Sequence, residues 1–263
     1  MTSTGQLQDR VAVITGGTRG IGRGIAEAFV AEGAKVVVSG RSAAKGEQAL
    51  AEMGAGDRAH FIACDVKDRD AVRTLVDGAA EHFGTVDILV NNAGGSDGFA
   101  NVHEMTDEAW DNALDWTLNS TFWATRAALR YMVANQWGRV ICISSVESKQ
   151  ANKAMVSHYI TAKHGMNGFV KAVAFEYGTQ GITSNAICPG AVETDLTMEA
   201  GPAAAEAMGV TYEQFLEAYA SESMIKRLTT VEEVAAMALL LASPVGAGIT
   251  GALINVDGGT ASW

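Results

Sequence analysis

Seven short runs rich in β-branched residues recur along the chain, and longer segments with helical spacing separate them. Strands that alternate with helices in this way pair in parallel, because each helix returns the chain to the same end of the sheet. Right-handed crossovers then predict an α/β fold, a single doubly wound domain over 1–263 with helices on both faces and a ligand crevice beyond the carboxyl ends of its strands. The predicted strands of this seven-stranded parallel sheet span 11–15, 35–39, 58–63, 87–91, 138–144, 183–188 and 252–256.

The first predicted strand runs directly into a glycine-rich segment, Thr15-Gly-Gly-Thr-Arg-Gly-Ile-Gly22, which opens a helical pattern. Glycines at 16, 20 and 22 allow a tight turn and let a ligand approach the backbone closely. The N-terminus of the following helix offers N–H groups and the positive end of a dipole to an anion. The spacing departs from the strict Gly-x-Gly-x-x-Gly pattern, but the order of strand, glycines and helix predicts a phosphate-binding turn for a nucleotide.

Tyr159 and Lys163 lie four residues apart in a segment with helical spacing, which places a phenol and an ammonium on one helix face. A tyrosine with its ordinary pKa of about 10 accepts protons poorly at neutral pH, but an adjacent cation stabilises the phenolate. We therefore expect Lys163 to lower the pKa of Tyr159 and to make it a general acid/base. His158 and His164 flank the pair, but adjacent helical positions point away from Tyr159, so we expect surface or subunit-contact roles for both.

Four separate motifs resemble, in the same order, those of the short-chain dehydrogenase/reductase family, whose members fold as a Rossmann domain. The resemblance spans nearly the whole chain and implies an oxidoreductase that uses NAD(P)(H). A further asparagine, Asn119, matches the family's fourth catalytic position. The four motifs are Thr15-Gly16-x-x-x-Gly20-Ile21-Gly22, Asn91-Asn92-Ala93-Gly94, Ser145 with Tyr159 and Lys163, and Pro189-Gly190 followed by Thr194.

The resemblance implies reversible hydride transfer between the nicotinamide C4 and the carbon of a ketone or secondary alcohol, with Tyr159 exchanging the proton. In this scheme Ser145 orients the substrate oxygen, Lys163 also holds the nicotinamide ribose, and Asn119 anchors a water that links Lys163 to solvent. Tyr159 follows Ser145 by fourteen residues, one more than the commonest family spacing, so Ser144 stays an alternative for the serine role. A catalytically silent dinucleotide-binding sensor or scaffold is the alternative function, and a complete tetrad disfavours it.

Two arginines bear on the choice of cofactor. Sites for NAD(H) usually place an acid at the end of the second strand, but the strand here ends in Ser39-Gly40 and Arg41 follows. Arg19 and Arg41 would bracket a 2′-phosphate with charge-assisted hydrogen bonds, and Ser42 adds a hydroxyl. The sequence therefore predicts NADP(H), with NAD(H) as the alternative. The expected cofactor contacts, most of them implied by the resemblance, are Gly16, Arg19, Gly20, Ile21, Arg41, Asp65, Val66, Asn91, Ala93, Gly94, Tyr159, Lys163, Pro189, Gly190, Val192 and Thr194.

The segment 193–228 carries no strand pattern, but its apolar residues have helical spacing between Tyr212 and Tyr219. The resemblance implies that this segment is a helical lid over the substrate. Similarity to polyketide-type ketoreductases and 3-hydroxybutyrate dehydrogenases implies a small-molecule ketone or secondary alcohol, with a thioester as an alternative. Lys149 and Lys153 are either solvated loop lysines or contacts for a carboxylate or a thioester carrier. The lid residues offered for an apolar pocket are Met198, Met208, Phe215, Tyr219 and Met224.

Composition excludes several other classes of partner. The formal net charge of −11 disfavours nucleic acids and anionic membranes, which bind basic surfaces. The N-terminal residues lack the apolar core of a secretory signal, and the longest strongly apolar helical run, 234–242, is too short to span a bilayer. The three cysteines lack metal-ligand spacing, so we expect no metal, and buried free thiols are typical of a reducing compartment. These features predict a cytoplasmic protein.

The predicted helical stretches 107–135 and 157–178 carry more apolar residues than contact with one sheet can bury. A homotetramer is therefore expected, as in most members of the family that the chain resembles. The residues on which this expectation depends are Trp116, Phe122, Trp123, Phe169, Val173 and Phe175.

Overall fold

The computed structural model describes residues 5–261 and, within them, all side chains except those of residues 196, 200, 204 and 207. Over this range seven parallel strands form one sheet in the order β3-β2-β1-β4-β5-β6-β7. This confirms the predicted doubly wound α/β architecture, and each observed strand overlaps its predicted run. The strands are β1 (Val11–Ile14), β2 (Lys35–Gly40), β3 (Ala59–Ala63), β4 (Ile88–Asn91), β5 (Gly138–Ile143), β6 (Ile182–Pro189) and β7 (Leu253–Val256).

Helices connect the strands and cover the sheet. The fourth and fifth helices are joined by a π-helical turn, Asp115–Asn119, so that they continue one another. None of the helices within residues 5–261 is both long and apolar enough to cross a membrane. The helices of this described range are α1 (Gly20–Ala31), α2 (Ala43–Met53), α3 (Arg69–Phe83), α4 (Asp107–Leu114), α5 (Ser120–Asn135), α6 (Ser157–Tyr177), α7 (Asp195–Ala207), α8 (Tyr212–Ser221) and α9 (Val231–Ala242).

Two apolar cores lie on the opposite faces of the sheet, because successive strand side chains point to opposite sides. In β1, Val13 joins the core beneath α3, α5 and α6, whereas Ala12 and Ile14 join the core beneath α1 and α9. Cys64, Cys142 and Cys188 are buried free thiols, as predicted. Both faces of the sheet are thus filled, which leaves its edges and strand ends for binding.

The order of the strands reverses at β1, which lies between β2 and β4. Chain crossovers leave in opposite directions from this point, so a crevice opens between the loops that follow the two central strands. The loops after β1, β4, β5 and β6 all leave from the carboxyl ends of parallel strands, and therefore meet at one edge of the sheet. All four motifs of the sequence lie in or directly after these loops.

Candidate active site

The glycine turn after β1 has the shape of an anion cradle. Gly16 and Gly20 adopt left-handed backbone conformations, with φ of 63° and 53°. A Cβ atom at Gly22 would lie 2.4 Å from the Asn92 Nδ2 atom and 2.5 Å from the Gly16 carbonyl oxygen. At the N-terminus of α1, the Arg19 side chain makes no capping hydrogen bond, and the first turn holds no acidic residue. The N–H groups and the dipole of α1 are thus available to a phosphate, which fits a dinucleotide.

Asn92 fastens the loop after β4 to this turn. Its Nδ2 atom donates to the carbonyl oxygens of Thr15 and Gly16, at 2.9 and 3.1 Å. In return, the Thr15 Oγ1 atom accepts the backbone N–H groups of Asn92 and Ala93, both at 3.0 Å. The sequence motif that contains Asn92 predicts no role for its side chain, because only the pairing of β1 with β4 brings the two loops together.

The predicted cofactor contacts Asn91, Asp65 and Val66 differ in how far they are buried. The Asn91 side chain is buried, and its Nδ2 atom donates to Thr125 Oγ1 at 3.0 Å. Asp65 is exposed and accepts the backbone N–H of Lys67 at 3.0 Å, while Val66 is buried. Asp68 provides the N-cap of α3. The Asp65 carboxylate therefore lies at the surface, at the carboxyl end of the edge strand β3.

Lys163 lies in α6 beneath the loop after β4. It is only 4% exposed, and its Nζ atom donates to the Ile143 carbonyl oxygen at 2.7 Å. A Cβ atom at Gly94 would lie 3.5 Å from Nζ, so the glycine keeps the loop close to the ammonium. Burial lowers the pKa of Lys163 to about 8, because desolvation disfavours the charged form.

Tyr159 lies one helical turn before Lys163, and the Lys163 Nζ atom is 5.6 Å from the centre of its ring. Burial raises the pKa of the phenol, the Ser145 hydroxyl partly offsets this by hydrogen bonding, and the charge of Glu147 adds to the rise. The pKa of Tyr159 is therefore raised and not lowered as predicted, because desolvation dominates, and Lys163 is not among the causes of the shift. A phenol that stays protonated at neutral pH is a proton donor.

The structure separates the two serines after β5. The Ser144 hydroxyl is buried and donates to Asn167 Oδ1 at 2.9 Å, so it is part of the core. Ser145 begins a 3-10 turn, Val146–Ser148, and its Oγ atom accepts the backbone N–H of Glu147 at 3.1 Å. Accepting this bond leaves the hydroxyl hydrogen of Ser145 for donation to another group. The geometry favours Ser145 over Ser144 as a substrate contact.

Asn119 ends the π-helical turn between α4 and α5, and its Nδ2 atom donates to Asp115 Oδ1 at 2.6 Å. π-Helical turns are rare and frequently occur at functional sites. Within the same turn Thr117 Oγ1 hydrogen-bonds both the N–H and the carbonyl oxygen of Gly95, each at 3.1 Å. The turn therefore supports the loop that carries Gly94 over Lys163.

The loop after β6 closes the other side of the crevice. β6 ends at Pro189, and a Cβ atom at Gly190 would lie 3.0 Å from Asp257 Cα. Val192 is buried and forms an isolated parallel bridge with Thr229. The side chain of Thr194 would lie 3.7 Å from a Cβ atom at Gly20. The loop thus lies directly beside the glycine turn.

The two predicted cofactor arginines follow the carboxyl ends of two neighbouring strands, Arg19 after β1 and Arg41 after β2. Arg19 pairs with Glu199 of α7 at 3.5 Å, with both side chains about half exposed or more. Arg41 is exposed directly after β2, and the Ser42 hydroxyl caps α2 by accepting the N–H of Lys45 at 3.4 Å. Ser42 therefore has a structural role as well as the predicted one.

A cleft of about 300 Å³ lies beside Tyr159 and Ser145. Of the five lid residues predicted for an apolar pocket, Tyr219 lines this cleft, Phe215 is buried, and the three methionines are exposed in the described part of the chain. Lys149 donates to the Leu253 carbonyl oxygen at 2.9 Å, whereas Lys153 lines the cleft. The lining residues are Ser96, Phe99, Ser145, Val146, Glu147, Lys153, Val156, Tyr159, Gly190, Ala191, Tyr219, Glu222 and Thr260.

The two histidines beside the Tyr159–Lys163 pair differ from one another. His158 is fully buried, and its Nε2 atom lies 2.8 Å from the Asp97 carbonyl oxygen. The expected surface or subunit-contact role is therefore wrong for His158, because the loop after β4 covers it. His164 is exposed, as expected of a surface residue.

Comparisons with known proteins agree with this architecture. The family model for the short chain dehydrogenase matches residues 10–205. The chain is 37% identical to a D-beta-hydroxybutyrate dehydrogenase of Cupriavidus necator, over 96% of this chain and 98% of the relative. It is 34% identical to a 3beta-hydroxysteroid dehydrogenase of Mediterraneibacter gnavus, over 98% and 97%.

Among solved structures, a variant of actinorhodin polyketide ketoreductase with NADPH superimposes with a TM-score of 0.91. It shares 34% sequence identity with this chain, and the match covers 97% of this chain and 98% of that one. With a family model that spans most of the chain and relatives matched over nearly their whole length, the chain belongs to the short-chain dehydrogenase/reductase family of oxidoreductases.

Proposed function

We propose that the chain catalyses reversible hydride transfer between the nicotinamide C4 of NADP(H) and a ketone or secondary alcohol, with Tyr159 as general acid/base. The observation that carries this proposal is the meeting of Ser145 and Tyr159 at one cleft, with the buried ammonium of Lys163 one helical turn away. When bound, the nicotinamide supplies the hydride in reduction and accepts it in oxidation.

The residues of the chain move the proton. In reduction, the Ser145 hydroxyl donates a hydrogen bond to the carbonyl oxygen, and Tyr159 transfers its phenolic proton to that oxygen as the alcohol forms. Lys163 stabilises the resulting phenolate, and Asn119 is proposed to hold a water through which the proton is replaced. Oxidation reverses each step.

The cradle after β1 is proposed to hold the pyrophosphate at Gly16, Gly20 and Ile21, since α1 presents uncapped N–H groups there. The remaining contacts are assigned by position around the crevice. Asp65 and Val66 would meet the adenine, and Lys163 and Tyr159 the nicotinamide ribose. The backbone or side chains proposed to complete the site are those of Asn91, Ala93, Gly94, Pro189, Gly190, Val192 and Thr194.

The preference for NADP(H) over NAD(H) rests on Arg41 and Arg19. β2 ends in Ser39 and Gly40 without an acid, and Arg41 is exposed beside the crevice. Loss of charge-assisted hydrogen bonds costs about 1.5–3 kcal/mol, so Arg41→Ala should weaken NADPH binding about tenfold or more. NADH, which lacks the 2′-phosphate, should lose little. Fluorescence titration with both cofactors measures this, and equal losses would instead support NAD(H).

The segment 193–228 is proposed as the substrate lid. It includes α7 and α8, and Tyr219 and Glu222 from its second half line the cleft. Small ketones and secondary alcohols are the proposed substrates, with thioesters as the alternative. We also propose a cytoplasmic location.

A homotetramer is proposed from two exposed aromatic side chains. Phe175 of α6 is 92% exposed and Phe122 of α5 is 40% exposed, although Val173 is buried within the chain. Trp116, Trp123 and Phe169 pack partly against the core, so they carry less of this argument. Light scattering should give four times the chain mass, and a monomer at micromolar concentration would contradict the assembly.

The central experiment is a panel of ketones and secondary alcohols assayed by nicotinamide absorbance with both cofactors. Tyr159→Phe should reduce turnover at least about a hundredfold and leave cofactor binding intact, because only the exchangeable proton is lost. Tyr177→Phe, at the end of the same helix, is the matched control and should keep full activity. Retention of more than about a tenth of the rate in Tyr159→Phe would refute the proposed role.

A further inference from the structure

Glu147 is a buried carboxylate that the proposed reaction does not use. It follows Ser145 by two residues in the 3-10 turn after β5, lines the cleft, and is only 4% exposed. Among the residues that the structure describes, neither of its carboxylate oxygens has a hydrogen-bond partner. Burial raises the pKa of Glu147, and smaller effects lower it, chiefly the charge of Lys153 and a contact with the Asn152 backbone N–H that does not meet hydrogen-bond geometry. Buried carboxyl groups without partners are costly, so they frequently serve a ligand.

The charges around Glu147 restrict what that ligand group can be. Lys153 and Glu222 line the same cleft, with 3.9 Å between the Lys153 Nζ and Glu222 Oε2 atoms, and Lys153 Nζ lies 4.5 Å from the centre of the Tyr219 ring. The charge of Glu147 reaches Tyr159, whose pKa it raises. A substrate carboxylate would face two carboxylates, Glu147 and Glu222, whereas a neutral hydroxyl group meets no such repulsion. A hydroxyl group also donates the hydrogen bond that Glu147 can accept.

We propose that Glu147 recognises a hydroxyl group of the substrate beyond the reacting carbon, so that the preferred substrates are hydroxylated ketones and the corresponding diols. This inference rests on the proposed function, since it concerns the substrate of the same site. Within the broad class of ketones and secondary alcohols, Glu147 would favour hydroxylated substrates and disfavour keto acids.

The test compares matched series of methyl ketones in which a hydroxyl, a carboxylate or an amine is placed on the α, β or γ carbon, each against its parent ketone. For the wild type, at least one hydroxyketone should exceed its parent ketone in kcat/KM by about tenfold or more. The reason is that only the hydroxylated substrate donates a buried hydrogen bond to the Glu147 carboxylate. Glu147→Met, which has a similar length and no acceptor oxygen, should bring this ratio close to one. NADPH affinity should not change.

Two further variants control for folding and for the loss of a carboxylate as such. Glu147→Gln retains an acceptor oxygen in the same shape, so it should fold and keep part of the hydroxyl preference. Glu217→Gln, an exposed carboxylate of α8 outside the lining of the cleft, is the control and should leave the ratio unchanged.

The outcomes separate this inference from the proposed function. Turnover of parent and hydroxylated ketones at equal kcat/KM, or a preference for keto acids or amino ketones, would overturn the role of Glu147 and leave the oxidoreductase proposal standing. An unchanged hydroxyl preference in Glu147→Met would also overturn it. No turnover of any ketone with either cofactor would overturn both.

Discussion

Burial of the Lys163 ammonium should cost the folded protein stability, and Lys163→Met tests the size of that cost. The side chain is almost fully buried, and burial lowers its pKa from 10.5 to about 8. At 1.36 kcal/mol per pKa unit, this difference corresponds to about 3 kcal/mol. Methionine fills a similar volume without the charge, so the variant should be more stable than the wild type at pH 7 while losing its activity.

The pH dependence of this gain distinguishes charge from packing. Below a pH of about 8 the lysine is protonated in both the folded and the unfolded chain, so the full cost is present. Between about 8 and 10.5 the folded protein releases its proton before the unfolded chain does, and the cost disappears as pH rises. The raised pKa values of Cys142 and Tyr159 act in the opposite direction, since they make stability fall with rising pH. The charge of Lys163 is the smallest of the causes of the Cys142 shift, after burial and the Asn91 hydrogen bond, so most of this contribution is common to wild type and variant.

The assay is urea unfolding without cofactor at pH 7 and pH 10.5, at one fixed protein concentration. The advantage of Lys163→Met should be about 3 kcal/mol larger at pH 7 than at pH 10.5. The lost hydrogen bond to Ile143 affects both pH values alike, so it does not alter this difference. Lys171→Met, at an exposed position of the same helix, should show no such difference. An advantage of equal size at both pH values would refute the reasoning.

Two further predictions concern the loops of the cleft. Ser145→Ala should lower kcat at least about tenfold. Ser144→Ala should keep catalysis but lose about 1–3 kcal/mol of stability, because the Asn167 Oδ1 atom loses its hydrogen-bond donor. Steady-state kinetics and urea unfolding distinguish the two variants, and reversed results would contradict the assignment of the serines. Gly22→Ala should weaken cofactor binding and lower the melting temperature, because its Cβ would lie 2.4 Å from Asn92 Nδ2; a variant that melts and titrates like the wild type would contradict the tight packing of the turn.

The fold could be predicted from the sequence because its signals are local. β-Branched runs, glycines and helical spacing mark each strand and helix within a few residues, and the parallel order follows from the crossovers. The proposed tetrad could also be identified from the sequence, because Asn119, Ser145, Tyr159 and Lys163 stand at positions that match motifs of the family. The structure adds the choice between Ser144 and Ser145, which depends on Asn167 more than twenty residues away.

The electrostatics could not be predicted in the same way. The spacing of Tyr159 and Lys163 indicates a neighbouring cation, but the direction of the pKa shift depends on how much of the chain covers the phenol. His158 shows the same limit, because its burial results from a loop sixty residues earlier that closes over it. Glu147 carries no motif, and only its burial without a partner distinguishes it from a surface glutamate.

Three features that lower the stability of the folded chain support the proposed position of the site independently of any sequence motif. A buried ammonium at Lys163, a buried carboxylate without a partner at Glu147 and a π-helical turn ending at Asn119 each reduce the stability of a fold. They come from three different segments, yet Glu147 and Lys163 both follow β5, and the π-helical turn holds the loop that carries Gly94 over Lys163. Residues and turns that lower the stability of a fold tend to be retained where function requires them. Variants that relieve these costs should therefore gain stability and lose catalysis or selectivity, and this inverse relation is the physical signature expected of an active site.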